Sequence, residues 1–369
     1  MLKKVFAILM VLIMMFCLFS CKKTENPYLS SPLPESVYLS SGMDEKTTLK
    51  YDIYEDYIII TGAIASLSTL YVPEMIEGKE VKAIEKDAFS GMDTLTAVTV
   101  SDTVIEIRDN AFYGCTSLEN VVLSENLYLI GNAAFSENTS LKSIRIPLDT
   151  VVIGGHAFSG CTSLKNIVIP KNAQSIGGGA FNNTPWLASQ KDKFVIAGQN
   201  VLIHYNGTDE SVTVPDGIVE VSAFSENFFV RYVSLPASVE RIGEYAFMNS
   251  SLNEITLGEN VTIIATAAFD SCLDFTKINF NSKIEFIGDY AFSGCHKIEE
   301  ITLPDTVKSV GKGAFVRCSG LTYLTFNSAK TEIGEDICES CSSLKKISCP
   351  KKSPVIDYAK SNGFNLDII

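Results

Sequence analysis

The side chains with the most latent chemistry in this 369-residue chain are its ten cysteines. Six of them, Cys115, Cys161, Cys272, Cys295, Cys318 and Cys341, stand three residues after a phenylalanine or the residue that replaces it. If the segments that carry them stack ~4.8 Å apart, the thiols form a column near enough by Cα separation to pair as disulfides. The alternative is a ladder of small buried thiols. The ladder is favoured, because Asn138, Thr184 and Asn249 or Ser250 fill the same place in other segments. A zinc site asks for convergent ligands rather than one ligand per segment, and the cysteines, taken by repeat position, are read as offering no C-x-x-C. Cys338 and Cys349 occupy the places of a core phenylalanine and a strand leucine, and read as core.

The other reactive groups are thinner. His156, His204 and His296 show no metal-ligand spacing, and none stands with a serine or cysteine in a nucleophile setting. Gly177-Gly178-Gly179 resembles a phosphate loop, but no Lys-Ser/Thr pair completes it. Carboxylates are plentiful at positions that vary between segments, as on a solvated surface, and no catalytic pair separates from the rest. No cofactor and no metal are expected. The net charge of −13 becomes about −15 without Lys3 and Lys4, 28 basic against 43 acidic residues. Such a surface repels phosphate backbones and anionic headgroups, which argues against nucleic-acid binding.

These residues hang on a repeated phrase, seen in IGDYAFSGCHKIEEITLP from Ile287 to Pro304. Its regular mark is Ala-Phe, at Phe89, Phe112, Phe135, Phe158 and Phe181, then at Phe224, Phe247, Phe269, Phe292 and Phe315. The interval is 23 residues, with one of 22 and one of 43. A fixed period of this size predicts a solenoid, in which each coil buries its apolar side against its neighbours. Within a coil, an L-x-x-L-x-L spacing such as Leu321, Leu324 and Phe326 alternates like a strand with one buried face. Proline often follows and stops the strand, as at Pro147, Pro170, Pro236, Pro304 and Pro350. A V-x-x-I-G segment supplies an extended piece and a bend, and A-F-x-x-C-x-x-L supplies one helical turn.

That wording, I-G-x-x-A-F-x-x-C-x-x-L in many copies over roughly residues 70–350, resembles the leucine-rich repeat of BspA-like (treponemal-type) bacterial surface proteins. The resemblance implies a leucine-rich-repeat arc on a bacterial surface, used in binding and adhesion, with no catalytic residues. The expected fold is a repeat solenoid of about twelve 23-residue coils. Parallel strands line one face and short helical turns the other, with a hairpin insertion and terminal caps.

Residues 1–20 read as a lipoprotein signal peptide, with Lys3-Lys4 before the apolar run Val5 to Phe19. Leu18-Phe19-Ser20-Cys21 resembles a lipobox, which makes Cys21 the expected lipid attachment site and the membrane a partner through that anchor. Cys17, preceded by Phe16, is the poorer candidate. Residues 21–46, rich in serine and proline, read as a flexible tether, and 47–69 as an N-terminal capping hairpin. The array spans 70–352, with an insertion at about 183–211 that holds the only tryptophan, Trp186. Insertions in repeats usually project from one face. Residues 353–369 read as a C-terminal cap, with Ser353 and Pro354 opening a helix.

What remains for function is surface. Strand residues facing away from the core form a polar ladder some ~55 Å long, taking about twelve strands at ~4.8 Å each. The candidate binding face comprises Arg145, Tyr232, Glu254, Lys277, Glu300 and Tyr323, with Trp186 in the insertion. The expected function is binding of host or neighbouring-cell proteins or matrix by a monomeric, lipid-anchored surface protein. A passive envelope spacer or antigen is the alternative. A cell-envelope enzyme is the rival from another class, and it lacks a clustered nucleophile or carboxylate dyad in the sequence.

Overall fold

The computed structural model describes residues 31–44, 48–64 and 66–369. The leader, Cys17, the lipidation candidate Cys21 and the tether up to residue 30 lie outside the described residues. The chain winds as a solenoid of about 23-residue coils, and each coil contributes to parallel ladders along the axis.

The first ladder is built from strands of three or four residues, such as Ser143–Arg145, Tyr232–Ser234, Glu300–Leu303 and Tyr323–Phe326. They pair in parallel, with Ile301 beside Leu324 and Leu324 beside Ile347. The second consists of two-residue strands from the I-G segment, such as Ile263–Ile264, Phe286–Ile287 and Ser309–Val310, joined in register. Glycine follows these strands because coils approach closely there. A Cβ on Gly288 would lie 2.5 Å from the Thr266 amide nitrogen of the preceding coil.

The segment expected to be a helical turn is a run of i→i+3 turns, with Ser293 N–H donating to Tyr290 O and Cys295 N–H to Phe292 O. Two left-handed residues bracket the phenylalanine, Tyr290 (φ 55°) and Gly294 (φ 67°) in this coil. They free every second amide for the next coil. Tyr290, Phe292 and Gly294 donate to the carbonyls of Lys312, Ala314 and Val316 at 2.8, 2.8 and 2.9 Å. The turn is therefore a third ladder rather than a helix, and its backbone groups are satisfied between coils.

The phenylalanines fill the interior. From Phe89 to Phe181 and from Phe224 to Phe315 the rings stack with centroids 5.1–5.8 Å apart and planes within 15°. This is the offset stacking range favoured by aromatic quadrupoles.

The 43-residue step interrupts this stack, but the insertion does not project. It forms a helix, Pro185–Ser189, and an antiparallel hairpin of Phe194–Ala197 with Val201–Tyr205. Val201 and Ile203 join the N-terminal core cluster, whereas Leu202 and Tyr205 join the C-terminal one. The hairpin strand is thus a wedge between the two halves, which explains its consecutive apolar residues Val201, Leu202 and Ile203. Trp186 meets Phe181 edge-on at 5.1 Å, and Tyr205 tilts onto Phe224 at 5.5 Å.

A second irregularity accompanies the wedge. Val221-Ser222-Ala223-Phe224 is two residues shorter than Ile242-Gly243-Glu244-Tyr245-Ala246-Phe247. The Gly178 N–H consequently reaches past this coil to the Glu244 carbonyl, at 2.6 Å. The buried Glu220 carboxylate fills the seam. Its Oε1 accepts from Ser175 Oγ (3.1 Å), Ile176 N–H (3.2 Å) and Ser222 Oγ (3.1 Å), and its Oε2 from Arg241 Nε (2.7 Å).

At the N-terminal end, Leu49–Tyr54 and Tyr57–Ala63 form a hairpin whose second strand pairs in parallel with Lys79–Ile84. Tyr38–Asp44, inside the stretch read as tether, is a strand paired antiparallel with Leu49–Tyr54. Serine-rich composition signals a linker only where no neighbouring strand offers unpaired backbone. At the other end, Val355–Ser361 is helical, with Ser353 Oγ accepting the Val355 N–H, and Leu366–Ile368 adds a parallel strand.

Candidate functional site

The candidate site is the outward side of the longer-stranded ladder. Strand alternation buries Val233, Ile255, Ile301 and Leu324 and leaves their neighbours in solvent. Tyr232, Glu254 and Lys277 are in register on adjacent strands, and all three are exposed. Glu300, Tyr323 and Lys346 form a second in-register run on the following coils, also exposed. The two tyrosines keep 40% and 42% of their surface. The structure thereby brings five of the candidate residues onto one flank of the C-terminal half.

The other two stand apart. Arg145 lies on the same sheet face in the N-terminal half, beside the exposed Val168, with its guanidinium 2.6 Å from Glu125. Trp186 is half-buried and packs into the seam, away from the strand face.

Charge beside the face is organised by Asp274, which accepts from Lys297 at 2.6 Å and lies 3.5 Å from Arg231. The Lys297 hydrogen bond, with help from Arg231, holds its carboxyl below the usual range. Exposed pairs of this kind add little stability, on the order of 0–1 kcal/mol.

The cysteine column is free of disulfides among the described residues. Each thiol donates to the carbonyl of a phenylalanine one coil earlier: Cys115 to Phe89, Cys161 to Phe135, Cys272 to Phe247, Cys295 to Phe269, Cys318 to Phe292 and Cys341 to Phe315, at 2.9–3.2 Å. Asn138 does the same to Phe112 through Nδ2 at 3.1 Å. The place therefore selects a small donor, which accounts for the cysteine and asparagine alternation. Burial pushes the Cys115 thiol up to about 11 and that of Cys161 to about 12, so these are not nucleophiles.

The histidines do not converge. Burial lowers the basicity of His156 and His204, and exposed His296 sits beside the Arg317 carbonyl. No group of three or more His, Cys, Asp or Glu side chains among the described residues is arranged to hold a metal. Gly177-Gly178-Gly179 cradles protein, since a Cβ on Gly178 would lie 2.7 Å from the Tyr245 carbonyl carbon.

Two features escaped the sequence reading. Phe228 and Phe229 are 65% and 60% exposed, on a loop where Asn227 Oδ1 accepts the Phe229 and Val230 amides. The signal was a Phe-Phe pair outside the Ala-Phe schedule. The other is Cys338-Glu339-Ser340-Cys341, a C-x-x-C hidden by assigning each cysteine to its repeat position.

A family model for the BspA type leucine rich repeat region matches residues 73–191 and 217–345, in six copies. No curated protein matches the chain. Among solved structures, a leucine-rich repeat protein from Bacteroides ovatus is 21% identical, with 91% of this chain and 99% of that one covered and a TM-score of 0.42. A leucine rich cell surface protein from Faecalibacterium prausnitzii is 21% identical over 84% of this chain and 95% of its own, with a TM-score of 0.36. The pneumococcal vaccine antigen PcpA is 18% identical over 89% and 98%, with a TM-score of 0.42.

Proposed function

Because the chain belongs to the BspA-type leucine-rich repeat proteins, we propose that it is a non-enzymatic binding protein of the bacterial cell surface. Its array engages host or neighbouring-cell proteins or matrix, and Cys21 carries the lipid anchor. The observation that supports the binding role is the exposed flank of Tyr232, Glu254 and Lys277 followed by Glu300 and Tyr323. Tyrosines set among charges on a rigid sheet have the chemistry of interface anchors, because they lose little conformational freedom on contact.

Support for export comes from the leader pattern, Lys3-Lys4, an apolar run and Leu18-Phe19-Ser20-Cys21. Among the described residues no helix is long and apolar enough to cross a membrane. The anchor is tested by metabolic labelling with palmitate. Wild type takes up label and Cys21→Ala does not; a labelled variant sinks the assignment. Binding is tested with residues 31–369 on immobilised extracellular-matrix proteins, side by side with Tyr232→Ala/Tyr323→Ala. Capture by wild type and at least tenfold weaker capture by the variant support the reading. Equal capture moves the contact elsewhere, and no capture of any component favours the passive spacer.

A further inference from the structure

We propose that Cys338 and Cys341 are a disulfide-exchange site in the last repeat coil, a dithiol that a small-molecule disulfide closes into an intra-turn bond beneath the C-terminal helix. In every regular coil the residue three before the column cysteine is phenylalanine, so the thiol has an aromatic ring beside it. Only here does cysteine replace that ring, which sets thiol beside thiol. The two thiols lie close enough to perturb each other's ionisation.

The backbone already has the required closure. Cys341 N–H donates to the Cys338 carbonyl at 3.2 Å, making an i→i+3 turn. Such turns keep their end Cα atoms within ~7 Å, and disulfides span Cα separations up to about 6.8 Å. Loss of the ring also leaves room. A recess of about 270 Å3 is lined by both cysteines together with Asp336, Glu339, Tyr358 and Phe364. Tyr358 belongs to the C-terminal helix, and its hydroxyl accepts the Cys338 N–H at 3.0 Å, so the helix roofs the site. Cys295 and Cys318 are 0% exposed, against 6% for Cys341 and 1% for Cys338.

The two thiols differ in reactivity. Hydrogen bonding from Cys338 holds the Cys341 thiol below the ordinary range, and the same bond with burial pushes Cys338 up. Cys341 is also the more exposed of the two, so exchange starts there. Its thiolate attacks one sulfur of a disulfide R–S–S–R, breaks that bond and releases RS⁻. Cys338 then gives up its proton and attacks the Cys341 sulfur, which releases the second RS⁻. Two protein thiols are oxidised and one small disulfide is reduced to two thiols.

The test uses the full chain, native, exposed to oxidised glutathione, then acid-quenched, unfolded, alkylated and cut with trypsin. Residues 331–345 form one tryptic peptide whose only cysteines are this pair. It should resist alkylation and weigh less than its reduced form by two hydrogens. The peptides holding Cys115, Cys161, Cys272, Cys295 and Cys318 should each take an alkyl group. Double alkylation of 331–345, or oxidation spread evenly along the column, overturns the proposal. In Cys338→Ser, Cys341 should retain a glutathionyl group. In Cys341→Ser, Cys338 should stay unmodified over the same exposure, and the reverse pattern overturns the order of attack.

Discussion

Gly178 donates its N–H to the Glu244 carbonyl at 2.6 Å, past the intervening shortened coil, and so joins the turn ladders of the two halves of the array. The contact exists because one coil lacks two residues and the side chain at 178 is a hydrogen. Gly155 supports it from the preceding coil, where a Cβ would run into the Tyr245 ring. A long insertion would otherwise leave two solenoids end to end. The short coil restores axial continuity on one face while the hairpin wedge fills the other.

Gly178→Ala should therefore weaken the joint rather than either half. The added methyl meets Tyr245 backbone, which cannot swing aside, and overpacking of this kind costs ~1–3 kcal/mol. Denaturant unfolding followed by circular dichroism should pass from one transition toward two. A single transition at the wild-type midpoint would show that the joint carries no coupling.

Glu244 makes stability depend on pH. Burial, reinforced by Asp109 and Glu220 and opposed by Arg241 and Asn132, pushes its carboxyl to about 8 from an ordinary 4.5. The folded chain holds a proton that the unfolded chain releases, so stability falls as pH rises between those values and levels off above about 8. Glu244→Gln should abolish this component, and its stability relative to wild type should rise steadily across that window. A constant difference from pH 5 to 9 would refute the assignment.

Phe292 stacks between Phe269 and Phe315 at 5.2 and 5.6 Å. Phe292→Ala should cost ~3–5 kcal/mol, the range for truncating a buried aromatic ring. Because its neighbours lose a stacking partner as well, the double variant Phe269→Ala/Phe292→Ala should cost less than the sum of the two singles. Chemical denaturation of the three variants measures the coupling.

Cys295→Ala removes one of two donors to the buried Phe269 carbonyl, which keeps the Cys272 N–H at 3.2 Å. The expected loss is ~0.5–1.5 kcal/mol, the net value of one hydrogen bond. Cys295→Ser keeps a donor and should lose less. If serine proves no better than alanine, the column selects size rather than hydrogen bonding.

Tyr232→Ala and Tyr323→Ala lie on the solvent side and should change folding stability by no more than ~0.5 kcal/mol. Any loss of ligand capture in these variants can then be read as loss of contact. A fall in melting temperature matching that of a core variant would remove them as binding probes.

Much of the solenoid was legible because repetition averages away local ambiguity. The Ala-Phe mark, the alternation around Leu324 and the bend at Gly311 recur at one interval, and each coil has only its neighbours to pack against. The sequence by itself determined the period, the buried phenylalanines, the column of small buried thiols and which strand residues meet solvent. The tertiary structure alone decided that the A-F turn is a third ladder, since left-handed residues such as Tyr290 are set by hydrogen bonds to the next coil rather than by local propensity. It alone decided that Val201 and Leu202 face opposite cores, and that Gly178 meets Glu244. A hydrophobic pattern says that a residue is buried; which surface buries it depends on contacts between segments far apart in the chain, and only the folded backbone brings those together.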